Sequence, residues 1–99
     1  MPAILAAQQP AVKRQELILM KDNKYRYYLM DLGTITKEYA REAIQEYIDA
    51  KGDDSEDYKT GYMMAFHRFI TLMQQQAESF DIALEELGLN DIKEDDFFK

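Results

Sequence analysis

A single histidine, His67, stands in a chain of 99 residues that has no cysteine, so any acid–base or metal chemistry has one imidazole and no thiolate to draw on. An imidazole with an ordinary pKa of about 6.5 suits a general base or a metal ligand. Either role needs companions at helical spacing. Three positions before His67 stands Met64, so the Glu-x-x-His pair of di-iron bundles is missing, and no second histidine completes a helical zinc site. His67, between Phe66 and Arg68, reads as a structural or interface residue.

The acidic clusters read the same way. Asp53, Asp54, Glu56 and Asp57 surround a helix start, where negative charge is favoured by about 0.3–1 kcal/mol. A calcium loop starting at Asp53 would need Gly and Glu where Tyr58 and Met64 stand. Glu85 and Glu86 are adjacent and diverge on a helix, so they make no catalytic pair. The glycines at 33, 52, 61 and 88 are isolated, which leaves no phosphate-cradling loop. Ser55 and Ser79 fall at helix boundaries, where capping explains them. The sequence assigns no catalytic, metal or cofactor residue, and the expectation is a non-enzymatic protein without a cofactor.

The elements behind these residues are more informative. From Tyr58 to Phe80 apolar residues lie around most of a helix: Tyr58, Tyr62, Phe66, Phe69, Met73 and Phe80 on one face, Met63, Ile70 and Ala77 on another. A helix apolar on several sides needs more than one neighbour. Gly61, in its second turn, offers close approach to another backbone. Upstream, positions 25, 28, 29, 32, 35, 39, 43 and 47 recur at threes and fours, predicting a helix over about 23–50, capped by Asp22 or Asn23 and ended by Gly52. Gly33 is a point of kinking or interruption in it. Val12 to Lys21 reads as a shorter helix, with Lys21-Asp22-Asn23 as a joint. A competing reading pairs Leu17–Met20 with Tyr25–Leu29 as a hairpin. Ser55 or Asp54 caps the second long helix. Ile82 to Leu89 reads as a short helix stopped by Gly88, and Asn90 to Lys99 has no period. Tyr25, Tyr28, Tyr39 and Tyr47 are expected to face Phe66, Phe69 and Met73 in a core, their hydroxyls reaching the rim.

Composition fits one domain: 46% of residues are apolar, and both prolines, Pro2 and Pro10, are N-terminal. The first residues lack a signal-peptide pattern and no run is long enough for a membrane span, so a soluble, cytoplasmic protein is expected. The net charge of −7 is concentrated at residues 78–99, which hold eight acids against two bases. Such charge disfavours nucleic acid and anionic lipid and favours either solubility or a basic protein partner.

Together these features predict an all-α fold, an antiparallel helical hairpin of two long helices (about 23–50 and 56–78) with short flanking helices, assembled as a dimeric bundle. Residues 1–11 form a flexible lead-in, 12–89 a single helical domain and 90–99 an acidic–aromatic tail. Self-association is expected through Tyr62, Met63, Phe66, His67, Ile70 and Met73. Docking of a partner is expected through Asp91, Glu94, Asp95, Asp96, Phe97 and Phe98. The leading function is protein–protein contact, as a regulator or accessory subunit and a homodimer. The alternatives are an acidic inhibitor of the immunity, antitoxin or nucleic-acid-mimic type covering a basic site, and a helical enzyme or small-ligand binder.

Overall fold

The computed structural model describes the backbone of residues 11–98 and the side chains from residue 23 onward. Helix α1 spans Ala11–Asp49 and helix α2 Glu56–Ser79; a 3-10 turn at Leu84–Leu87 and a one-turn helix α3 at Glu94–Phe97 follow. The two long helices pack against each other, and no strand occurs among the described residues. With 39 and 24 residues, they are about 58 and 36 Å long at 1.5 Å per residue. The lead-in expected at residues 1–11 lies, but for Ala11, outside the described residues.

Three expectations about α1 are corrected. The joint at Lys21-Asp22-Asn23 is continuous helix, so neither Asp22 nor Asn23 is a cap, and the Leu17–Leu29 hairpin does not form. This triplet contains neither proline nor glycine, and its polar residues lower helix propensity by only a few tenths of a kcal/mol each. Gly33 causes no break either. It is buried, and a β-carbon built there would lie 1.9 Å from the carbonyl oxygen of Leu87, so the missing side chain is what lets the 3-10 turn lie on α1. Gly88 answers from the other side, at φ 68°, with its would-be β-carbon 2.4 Å from Thr34 Oγ1. Only glycine meets both demands at that position.

The 50–55 connection is held by short-range hydrogen bonds. The Asp53 carboxylate accepts from the amide of Ser55 at 2.6 Å and from its hydroxyl at 2.8 Å, and Glu56 Oε1 accepts from the amide of Gly52 at 3.1 Å. The Ser55 amide, then its hydroxyl, hold the Asp53 carboxyl below the usual carboxylate range. Ser55 occupies the N-cap position of α2, but its hydroxyl makes no capping bond because it is turned to Asp53. At the other end, the amide of Ile82 donates to the carbonyl of Ala77 at 2.8 Å and Asp81 takes φ 56°. This left-handed residue closes the helix where a glycine is commoner.

The core joins both helices to the C-terminal segment. Ala40, Ala43 and Ile44 of α1 meet Met63, Ile70 and Ala77 of α2, and Leu87, Leu89, Ile92 and Phe97 complete the cluster. Residues 90–98, which show no period in the sequence, thus supply two core side chains. The expected tyrosine-lined core is corrected: Tyr25, Tyr28 and Tyr39 are 58%, 63% and 53% exposed, and only Tyr47 packs on the cluster. The small stripe Gly33, Ala40 and Ala43 takes the buried position because it permits closer helix approach than an aromatic stripe does.

Candidate interaction surface

On an α-helix, residues one position either side of a buried residue project about 100° to its left and right. On α1, Tyr39 and Arg41 flank buried Ala40; on α2, Phe69 and Thr71 flank buried Ile70. The groove between the helices therefore has two sides, and the chain treats them differently.

One side is covered by residues 89–98. Lys37 Nζ donates to Asp91 Oδ1 at 2.7 Å, and Arg41 donates to the Asp91 carbonyl at 3.0 Å while standing 3.4 Å from Asp91 Oδ2. From α2, the Gln74 side-chain amide donates to the carbonyls of Leu89 at 3.1 Å and Ile92 at 2.9 Å. The His67 ring meets Phe97 and Phe98 edge-on, with centroids 5.1 and 5.0 Å apart. Its Nε2 is buried without a hydrogen-bond partner, 3.7 Å from Glu94 Oε1 and so beyond hydrogen-bond reach. Asp96 Oδ2 accepts from the amide of Lys93 at 2.8 Å, fixing the start of α3.

The Lys37 hydrogen bond, with the charges of Lys37 and Arg41, holds the Asp91 carboxyl below its usual range. A folded-state pKa below the unfolded value means that Asp91 contributes stability above about pH 3.9, lost as pH falls through the folded value. Asp91→Asn is accordingly expected to lower the urea midpoint at neutral pH, and the gap from the parent protein is expected to narrow as pH falls below about 3.9, with denaturation followed by circular dichroism.

The opposite side of the groove is open. Thr36 of α1 and Tyr62, Ala65, Phe66 and Phe69 of α2 line a depression of about 400 Å³ with almost no polar surface. Along it run two rows of exposed side chains. Tyr25, Tyr28, Leu32, Ile35 and Tyr39 form the row on α1, and Tyr58, Tyr62, Ala65, Phe69 and Leu72 the row on α2. Both advance by alternating threes and fours, the spacing that keeps a seam facing a neighbouring helix. Tyr58 and Tyr62 are stacked with centroids 6.3 Å apart, and Phe66 meets Tyr62 edge-on at 5.2 Å.

The residues expected at a self-association interface divide between these settings. Met63 and Ile70 are 1% exposed and belong to the chain's own core, while Phe66 and Met73 are half-buried against it. His67 sits under the C-terminal segment, and Tyr62 alone of the six is on the open face with large exposure. Among the expected docking residues Phe97 is 1% exposed, Asp91 is held by Lys37 and Arg41, and Asp96 supports its own helix start. Glu94, Asp95 and Phe98 remain exposed. His67 therefore brings the two predicted groups together, since it touches Phe97 and Phe98. Sequence reasoning passed over Lys37, Arg41 and Gln74, which carry no motif, and treated Tyr25, Tyr28 and Tyr39 of the α1 row as core.

Among the described residues no group of three or more acidic, histidine or cysteine side chains is placed to hold a metal ion, and no helix is long and apolar enough to cross a membrane. Lys59 pairs with Glu46 across the two helices, an ion pair whose hydrogen bond raises the lysine pKa. Comparison with known proteins finds no matching family model, no similar curated protein and no similar solved structure.

Proposed function

We propose that this protein is non-enzymatic and acts through protein–protein contact, as a small regulator or accessory subunit that forms a homodimer. The observation that carries this reading is the pair of exposed apolar rows on α1 and α2. Isolated apolar residues are normal on a protein surface, but contiguous apolar patches mark interaction sites. The elongated shape supports it as well: the principal extents are 66 × 27 × 15 Å and the radius of gyration is 19.4 Å, against about 13 Å for a compact domain of this size.

In this proposal the two long helices run antiparallel. The order of contacts supports that arrangement, since Glu46 meets Lys59 near the connection while Thr36, ten residues earlier, lies beside Phe66 and Phe69. An acidic inhibitor is less favoured, because Glu86, Asp91 and Asp96 are engaged by Arg26, by Lys37 and Arg41, and by the Lys93 amide.

Light scattering across a wide concentration range tests the proposal. The expected result is a stable mass twice the 11.6 kDa of one chain. A mass of one chain at every concentration would reject the homodimer.

A further inference from the structure

The groove is closed on one side by the chain's own C-terminal segment and open on the other. Resting on the homodimer reading above, we infer that the open side is where the second copy sits, so that two α1–α2 pairs stack through the Tyr25–Tyr39 and Tyr58–Leu72 rows as a four-helix bundle. The C-terminal segments then lie on the outside.

Three observations select this occupant. First, the C-terminal segment packs on one side of the α1–α2 pair, and among the described residues no element covers the other side, where the apolar depression opens. A stable domain stacks at least two layers around its core, and the covering segment supplies a second layer on one side only.

Second, the area is sufficient. Six aromatic residues on the open face, Tyr25, Tyr28, Tyr39, Tyr58, Tyr62 and Phe69, are 41–70% exposed. Fully burying an aromatic side chain removes roughly 150–250 Å², so with Leu32, Ile35 and Leu72 the face offers on the order of 1,000 Å² per protomer. A standard stable interface uses about 800 Å² per partner.

Third, charge decides between faces. Two copies of a chain with net charge −7 repel unless they meet where charge is absent. No row position is charged, whereas the segment over the other side carries Asp91, Glu94, Asp95 and Asp96, half of the acids of residues 78–99. The open face is also self-complementary in chemistry, as a two-fold interface requires. The alternating three-and-four spacing suits the shallow crossing angle of helical bundles.

The test uses the full-length protein. Ile35→Glu with Phe69→Glu places two carboxylates on the face at exposed positions, and is expected to weaken the dimer by roughly 100-fold or more in light scattering. Ile48→Glu, at an exposed position seven residues after Arg41 and so on the other side of α1 from the row, is expected to leave it unchanged. Far-UV circular dichroism establishes that the helices persist.

A second measurement does not depend on those variants folding. Because the chain has no cysteine, Ala65→Cys and Ala83→Cys each carry one thiol. Alkylation of the thiol at 65 is expected to slow roughly tenfold or more as protein concentration rises through the dissociation constant, with no change at 83. A dimer whose thiol at 65 reacts equally at all concentrations would overturn the assignment of the face and leave self-association standing. A parent protein monomeric throughout would overturn the homodimer reading itself.

Discussion

Phe97→Ala is expected to destabilise the protein by about 3–5 kcal/mol, the range for removing a buried aromatic side chain. For a domain of this size that is a fall in melting temperature of about 15–25 °C. The side chain is 1% exposed and meets the His67 ring at 5.1 Å within the core cluster. It is also the main apolar anchor of α3, whose four residues are too short to hold a helix unaided. Its loss therefore leaves a cavity and frees the segment that shields Leu89 and Ile92. Phe98→Ala removes a neighbouring ring that is 52% exposed, and about 1 kcal/mol is expected from it. Parallel thermal melts of the two variants check the contrast. Equal effects would mean that Phe97 is not the anchor.

Gly33→Ala carries the second large effect, with a sign opposite to helix propensity. In an exposed helix interior the change from Gly to Ala stabilises by about 1 kcal/mol. At residue 33 the added carbon would lie 1.9 Å from the carbonyl oxygen of Leu87 and 3.0 Å from its carbonyl carbon. These are backbone atoms, which cannot swing aside as a flexible side chain can, and overpacking of this kind costs about 1–3 kcal/mol or more. A net loss of about 2 kcal/mol is expected. Gly61→Ala supplies the control, because nothing lies within 4 Å of a β-carbon at that position. That substitution is expected to stabilise by up to about 1 kcal/mol. Urea titrations of both variants should move in opposite directions.

Much of this architecture is legible in the residues. The apolar pattern from Tyr58 to Phe80 and the Gly- and Asp-containing connection before it place α2 within a residue or two of its observed limits, Glu56–Ser79. Gly88 ends the 3-10 turn in the left-handed conformation that its position suggests. Long α1 is foreseen over 23–50, but its extension to Ala11 is not, because Lys21-Asp22-Asn23 looks like a joint when only local polarity is weighed. Helix continuity there is decided by cooperativity from both flanks.

The buried stripe of α1 was harder to see. Tyr25, Tyr28, Leu32, Ile35 and Tyr39 offer far more apolar area than Gly33, Ala40 and Ala43, yet the small residues carry the contact. What hydropathy does not register is distance: a glycine or alanine row brings backbones together, and an aromatic row holds them apart. The clasp of Gln74 on the Leu89 and Ile92 carbonyls is invisible for another reason. It joins residues 15 and 18 positions apart through backbone acceptors that every residue possesses. The candidate surface was legible in one residue, Tyr62, and in the general surplus of apolar side chains on α2; its α1 half appears only once the helices are packed.

The C-terminal segment touches both long helices at once, through Lys37 and Arg41 on α1 and through His67 and Gln74 on α2. It works as a caliper. Its two jaws close only at one separation of the helices, so a change in that spacing releases one jaw and weakens the other, and the position of Phe97 becomes a gauge of how far apart α1 and α2 stand.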